Sequence, residues 1–123
     1  MKIIKTIILI LFLISCHYQT SAQVQSVKKL HHVLLFDWIE DIDINAKKEV
    51  QDSLKKLPSK IEGLEKISIH ELSMSTEEFE TIVIMVFNTD KALEEYQKHP
   101  EHLEIKKKAK PLIVGMSKFD YWK

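Results

Sequence analysis

The chain has 123 residues, of which 45% are hydrophobic and 29% are charged. This length suits one small domain, and the composition is typical of a globular protein rather than a disordered one. Basic and acidic side chains both number 18. No net positive charge favours a nucleic-acid partner, and we expect none.

The first 22 residues have the pattern of an export signal and are not expected to belong to the fold. Two lysines precede an apolar segment, 6–14, that is too short to span a bilayer well. Two cleavage sites compete. One is a signal peptidase I site after Ala22, and the other is a lipobox-like segment that would make Cys16 a lipidated N-terminal residue. An uncleaved N-terminal anchor is the third alternative.

These alternatives all predict export, to the periplasm or cell envelope, as a soluble or a lipid-anchored protein. A membrane is expected as a partner only if Cys16 is lipidated. Cys16 is also the only cysteine, so residues 23–123 can form no intramolecular disulfide and no thiolate metal site. We expect these residues to form one domain that core packing alone stabilises.

Apolar and β-branched runs bounded by turn residues predict four strands. They lie at 28–36, 64–72, 79–87 and 112–122. The third holds the strongest signal, an unbroken apolar run that ends at Phe87. Gly115 is expected to mark a bulge or bend in the last strand. The acidic segment 37–44 is expected to be a loop that packs partly over the core.

Three helices are expected between the strands. The first runs from its N-cap, Asn45, to about Leu57, because its apolar residues recur every three or four positions. The second begins at the cap 88–90 and ends near Lys98. The third is short, carries a basic run that we interpret as a solvated helix face, Lys106–Lys108, and ends before the following proline.

The predicted order is β-α-β-β-α-β with a broken second helix, which is the α+β, ferredoxin-like split βαβ pattern. Such a sheet has helices on one face only. The strands are too apolar for the other face to remain in water. We therefore expect a homodimer whose two sheets pack face to face into a dimeric α/β barrel.

The segment Tyr96–His102, with the sequence YQKHPEH, forms the break between the last two helices. Pro100 has no amide hydrogen and disfavours a helical conformation at His99, so one helix ends there and the next begins. Tyr96 then lies in the last turn of one helix and His102 in the first turn of the next. The corner is expected to bring a phenol and an imidazole together.

Two interpretations of this pair remain open. In the first, the helix dipole favours the neutral form of His102, which acts as a general base, while Tyr96 donates a hydrogen bond to a carbonyl or an enolate. In the second, both residues stabilise the corner: His102 caps the backbone and the Tyr96 hydroxyl bonds to a strand. His99 is expected to make a local, structural bond.

Two further histidines are consecutive in strand one, so only one of His31 and His32 can face inward. The inward one is a candidate to join Tyr96 and His102 in a cavity. The alternative is a half-buried strand histidine with a structural role. His70, on strand two, is expected at the surface or at an interface.

Several segments together resemble the stress-responsive A/B barrel domain family, called Dabb. They are His32–Phe36, Phe87, Tyr96–His102 with its Y-x-x-H-P-x-H pattern, and Phe119–Tyr121. The resemblance covers about residues 28–122 and implies a dimeric α+β barrel. It is independent support for the domain at 23–123 and for the homodimer.

The resemblance also implies site residues. A plant polyketide cyclase of the family uses the tyrosine and the last histidine of the motif, which fall on Tyr96 and His102. Its first-strand histidine falls on His32 and its last-strand aspartate on Asp120. By this resemblance Tyr96, His102 and His32 are candidate catalytic residues. His32, Tyr96 and Asp120 are candidate ligand-binding residues.

No metal and no cofactor are expected. There is no H-E-x-x-H motif, and Pro100 disturbs the spacing between His99 and His102. Some dimeric α+β barrels hold haem, but only the fold would support a haem here.

We therefore expect an exported homodimer that binds a small apolar or carbonyl-bearing ligand. The first alternative is an enzyme of polyketide-cyclase or monooxygenase type that uses Tyr96 and His102 for acid–base chemistry. The second is a purely structural dimer in the cell envelope.

Overall fold

The computed structural model describes residues 26–123. It contains four strands: β1 (Leu30–Trp38), β2 (Leu64–Glu71), β3 (Thr81–Phe87) and β4 (Ile113–Trp122). They form one antiparallel sheet with the order β2-β3-β1-β4. The three helices are α1 (Ile44–Lys55), α2 (Asp90–Lys98) and α3 (Pro100–Ala109). Short 3-10 turns occupy Leu57–Ser59 and Lys110–Leu112.

This architecture confirms the predicted α+β, ferredoxin-like fold, including the break between α2 and α3. The prediction for residues 1–22 and for Cys16 lies outside the described residues. Among residues 26–123, no helix combines the length and the apolar character that crossing a membrane requires.

The start of α1 differs from the prediction. Asp43, rather than Asn45, is the N-cap, and its carboxylate accepts a hydrogen bond of 2.7 Å from the backbone N–H of Asn45. An aspartate side chain at this position satisfies an amide that the first helical turn leaves unpaired. The helix ends at Lys55, and Leu57 instead begins the 3-10 turn that contains Pro58.

β1 extends two residues further than predicted, because Trp38 belongs to the strand and not to the following loop. The pairing of β1 with β4 shifts here: Asp37 lies opposite Gly115, and Trp38 lies opposite Ile113. Val114 is therefore the extra residue of a β-bulge, which confirms the predicted irregularity at Gly115.

The two faces of the sheet differ in their cover. Alternation along β1 turns its even-numbered residues, from Leu30 to Trp38, toward the helices. The register aligns them with Phe87, Met85 and Val83 of β3, all of which are fully buried. The core thus lies between this face and the three helices.

The opposite face, which we call the open face, carries no helix in the described part of the chain. Its central and edge strands contribute a set of apolar side chains: Val33, Leu35, Ile82, Ile84, Val86, Phe119 and Tyr121. Phe119 is 50% exposed and Tyr121 is 41% exposed. His31 stacks on Tyr121 with ring centroids 4.8 Å apart, so this histidine belongs to the open face.

Candidate functional site

The corner between α2 and α3 is built around His99. This residue has an extended backbone, with φ −65° and ψ 132°, and is both the C-cap of α2 and the N-cap of α3. Its Nδ1 accepts a hydrogen bond of 3.3 Å from the backbone N–H of Glu101. Pro100 follows as the first residue of α3. The predicted local role of His99 is confirmed, while the capping role considered for His102 stays a prediction.

Tyr96 lies in the last turn of α2 and is 2% exposed. Its ring packs against Phe87, with centroids 5.4 Å apart, and against the His102 ring at 4.1 Å. Burial raises the pKa of the Tyr96 hydroxyl far above its ordinary value. The hydroxyl therefore stays protonated, and it can donate a hydrogen bond but cannot act as a base.

His102 lies in the first turn of α3 and is half-buried. Burial lowers its pKa below the ordinary 6.5, and the positive charge of Lys106 and the nearby His32 act in the same direction. The backbone carbonyls of Tyr96 and Gln97 oppose this shift. The predicted neutral form is thus favoured, and burial contributes most to the lowered pKa of His102.

The Nδ1 atom of His102 is buried and has no hydrogen-bond partner among residues 26–123. The backbone carbonyls of Tyr96 and Gln97 favour a protonated ring, but neither forms a hydrogen bond with this atom. Most buried polar groups in proteins are bonded, and leaving one unbonded costs about 1–3 kcal/mol. This atom is enclosed by the protein, so it is not accessible to a group that enters the site.

His32 is the inward-facing histidine of β1 and is 5% exposed. Its Nδ1 lies 2.5 Å from Oδ1 of Asp120, which is its cross-strand partner on β4. A carboxylate oxygen accepts hydrogen bonds, so Nδ1 is the donor, and the contact fixes the orientation of the His32 ring. The His32 ring lies 6.2 Å from the ring of Tyr96. The Asp120 side chain is 47% exposed, so it adjoins solvent.

An open cavity of about 680 Å³ lies between the helices α1 and α3 and the strands β1 and β4. Three of the four predicted site residues, His32, Tyr96 and His102, line it together. Asp120 contacts His32 instead of lining the cavity. The remaining walls are largely apolar and include Leu34, Phe36, Val50, Leu54, Ile105 and Met116.

Sequence reasoning missed other residues that line this cavity. Lys106, Lys110 and Lys118 reach it from α3, from the 3-10 turn after α3 and from β4. The four-residue spacing of Lys106 and Lys110 places them on one helical side, which was a readable signal. Only the strand register brings Lys118 to the same cavity, since it lies opposite Leu34. Within residues 26–123, no group of three or more histidine, cysteine, aspartate or glutamate side chains is arranged to hold a metal ion.

Comparison with known families matches residues 30–123 to the model of the stress-responsive A/B barrel domain. This match spans most of the chain. The chain belongs to the Dabb family. The resemblance seen in the segments from His32 to Tyr121 is thereby confirmed over nearly the same range.

Solved structures share the fold of this Dabb domain. A dimeric protein of unknown function from Bacteroides fragilis is 25% identical, with a TM-score of 0.61, over 76% of this chain and 94% of that one. A Dabb protein from Mesorhizobium loti is 19% identical, with a TM-score of 0.67, over 76% and 95% of the two chains. A hydroxynitrile lyase from Passiflora edulis is 11% identical, with a TM-score of 0.70, over 79% and 94%. No match was found among the curated proteins.

Proposed function

We propose that this Dabb protein is an exported homodimer that binds a small, largely apolar molecule carrying a hydroxyl or carbonyl group. The observation that carries the proposal is the shared cavity of His32, Tyr96 and His102. Its volume of about 680 Å³ falls within the range of roughly 300–1,000 Å³ that is typical of small-molecule sites. Apolar walls with a few convergent polar groups are the usual composition of such sites.

The polar end of the cavity suits a ligand oxygen. The half-buried imidazole of His102 is favoured in its neutral form, and the Tyr96 hydroxyl remains a donor because burial raises its pKa. A hydroxyl or carbonyl oxygen beside them would accept a hydrogen bond from the Tyr96 hydroxyl. The apolar remainder of the ligand would contact the walls, and that burial would supply most of the affinity.

Binding is tested by NMR titration of isotope-labelled protein with decanol, which has an apolar chain and one hydroxyl. We expect saturable shifts centred on Tyr96, His102 and Leu34. Met116→Trp, on the cavity wall, should weaken binding by filling part of the space. Met74→Trp is the matched control, because Met74 is 90% exposed and does not line the cavity. Equal binding by the two variants, or no saturable binding, would contradict the proposal.

An acid–base enzyme is the second candidate, and the neutral His102 beside Tyr96 favours it. His102 would remove a proton from carbon next to a carbonyl, and the Tyr96 hydroxyl would donate a hydrogen bond to the carbonyl oxygen. His32, oriented by its 2.5 Å contact with Asp120, would adjoin the same group. This is the chemistry of the cyclase type that the family resemblance suggested.

The enzyme candidate is tested by deuterium exchange. Methyl octyl ketone is incubated with the protein in deuterium oxide, and NMR follows the loss of the protons next to its carbonyl. General-base catalysis predicts that His102→Gln lowers the protein-dependent rate by about a hundredfold or more, with Tyr96→Phe also lowering it. His70→Gln, an exposed histidine on β2, should leave the rate unchanged. An exchange rate that matches protein-free buffer would refute the enzyme and leave ligand binding intact.

The homodimer is supported by the apolar open face and by the dimeric state described for the Bacteroides fragilis protein. Contiguous apolar surface of this kind marks interaction sites, and a second copy offers a matching sheet. Light scattering should give twice the chain mass, and Phe119→Asp should give a monomer. Met74→Asp adds the same charge at an exposed loop position and should stay dimeric. A stable wild-type monomer at micromolar concentration would contradict the dimer.

Export is supported by the signal-like pattern of residues 1–22. Mass spectrometry of the protein from a bacterial host should find an N-terminus at Gln23 or a lipid-modified Cys16. Recovery of the uncleaved chain, from Met1 onward, in the cytoplasm would contradict export.

A further inference from the structure

We infer that the cavity binds an amphipathic anion, with its negatively charged head group against Lys106, Lys110 and Lys118 and its apolar body between the helices and the sheet. This inference rests on the proposed ligand-binding function and adds the charge of the ligand. The chemical class is a carboxylate, or another singly charged head group, on an aliphatic or aromatic body.

The charged side chains that line the cavity are all lysines, and the carboxylate of Asp120, which does not line it, is bonded to His32. The three lysines reach it from α3, the following turn and β4, and no aspartate or glutamate lines it. Three cations around one open cavity with apolar walls focus a positive potential into it. A neutral ligand would make no use of this potential, whereas an anion would be attracted and held.

Six other lysines among residues 26–123 form ion pairs, whereas seven others, including Lys98 and Lys107, do not. Lys47 contacts Glu71 at 2.9 Å, Lys60 contacts Glu101 at 2.9 Å, and Lys108 contacts Glu49 at 2.8 Å. Among residues 26–123, none of the three cavity lysines forms an ion pair. The protein therefore neutralises Lys108 with its own carboxylate but leaves Lys106, two residues earlier in the same helix, available to a ligand.

One of these charges acts on the polar end of the cavity. Lys106 lies four residues after His102 on α3, one helical turn away, and its charge contributes to the lowered pKa of that imidazole. A ligand anion beside Lys106 would offset this influence. Anion binding should therefore raise the pKa of His102, and a neutral ligand with the same chain should not.

The test compares decanoate with decanol, which share a chain length and differ in charge. NMR titrations give the affinity of each for the full-length protein, for Lys106→Gln/Lys118→Gln and for Lys98→Gln/Lys107→Gln. The last variant is the matched control, because it removes two exposed lysines that form no described ion pair and do not line the cavity. Both variants change the net charge by the same amount.

We expect the wild type to bind decanoate about tenfold more tightly than decanol, given the modest strength of each partly exposed charge pair. Lys106→Gln/Lys118→Gln should lose most of this preference without weakening decanol binding. The control should change it by less than about twofold, through long-range charge alone. In the wild type, decanoate but not decanol should raise the pKa of His102, which the ring resonances report.

Three outcomes would overturn the inference. Equal affinity for decanol and decanoate would refute the anion while leaving the ligand-binding function standing. An equal loss of preference in the two double variants would show that net charge, and not the cavity lysines, is responsible. Saturable binding of neither compound would overturn the inference together with the proposed function.

Discussion

The two ends of β1 each hold a polar cluster on the helix-covered face, and the clusters differ in how their hydrogen bonds are satisfied. At the C-terminal end of β1 is the Glu71 cluster, made of Trp38, Lys47, Gln51, Glu71 and Thr81. The Trp38 indole donates to Thr81 Oγ1 at 2.8 Å, and the Thr81 hydroxyl donates to Glu71 at 2.9 Å. Lys47 and Gln51 donate to the same carboxylate at 2.9 and 2.7 Å.

These bonds keep the Glu71 carboxylate ionised. Partial burial alone would raise its pKa, but the hydrogen bonds from Lys47, Gln51 and Thr81 outweigh that effect and lower it below the ordinary value. Each of the polar groups that converge on this carboxylate has a partner within the chain. The Glu71 cluster therefore leaves no donor or acceptor that a ligand is needed to satisfy.

Near the N-terminal end of β1 is the His102 cluster, made of His32, Tyr96, His102 and Asp120. It contains one internal hydrogen bond, between His32 and Asp120, while the buried Nδ1 of His102 has no partner in the described chain. It also adjoins the cavity, which no member of the Glu71 cluster lines. Among the described residues, the Glu71 cluster is thus hydrogen-bonded throughout, whereas the His102 cluster is not. The incompletely bonded cluster is the one that lines the cavity.

Removing the Tyr96 ring should have the largest effect on stability. Tyr96→Ala deletes a buried aromatic side chain and should lower the free energy of unfolding by about 4 kcal/mol. Tyr96→Phe keeps the ring and should change it by less than about 1 kcal/mol, while weakening decanol binding. Urea unfolding measures both. A Tyr96→Phe loss as large as that of Tyr96→Ala would mean that the hydroxyl is structural, and the contrast between the clusters would fail.

Substitution of Thr81, in the Glu71 cluster, should have the next largest effect on stability. Thr81→Val keeps the shape but leaves the Trp38 N–H without its acceptor in a site where Thr81 is 0% exposed. The free energy of unfolding should fall by about 2 kcal/mol. Thr81→Ser retains the hydroxyl and should restore the bond, although it removes a buried methyl group. Decanol affinity should be unchanged in both folded variants. A change in that affinity would show that the two clusters are coupled.

The sequence was sufficient to predict the pairing of Tyr96 with His102 because its information is local, whereas His32 and Asp120 were assigned from the family resemblance. The Y-x-x-H-P-x-H segment contains the helix break, the tyrosine before it and the histidine after it, all within seven residues. Period-two alternation in β1 showed that only one of His31 and His32 faces inward. The order of strands and helices was predictable for the same reason, since each element has its own periodicity.

The Glu71 cluster could not be predicted, because register between distant strands creates it. Thr81 meets Trp38 only because β1 continues past Phe36, and this continuation depends on the bulge at Val114. The acidic segment 37–44 gave no sign of that extension. Lys118 was missed for a related reason: its place beside the cavity follows from pairing opposite Leu34.

The smallest predicted effect is on the pH dependence of stability, which differs between the two clusters. The folded pKa of His102 is lowered from 6.5, so the unfolded chain binds more protons, and stability falls as the pH drops below about 6.5. The folded pKa of Glu71 is lowered from 4.5. Its contribution is therefore complete above that pH and is lost only as the pH falls further, through the folded value.

Urea unfolding across this range, from about pH 8 to about pH 3, should resolve the two contributions. We call the pH range just below about 6.5 the upper window and the range below 4.5 the lower window. His102→Gln should flatten the decline of the free energy of unfolding in the upper window and leave the lower window unchanged. Glu71→Gln should do the reverse. Subtracting the wild-type free energy of unfolding from that of each variant at every pH removes the contributions of the titratable groups that the two proteins share. If bound decanoate raises the pKa of His102, it should also flatten the decline in stability between about pH 6.5 and the lower folded pKa of His102. If His102→Gln left the upper window as steep as in the wild type, the imidazole would be equally easy to protonate in both states. The distinction between a satisfied and an unsatisfied cluster would then be lost.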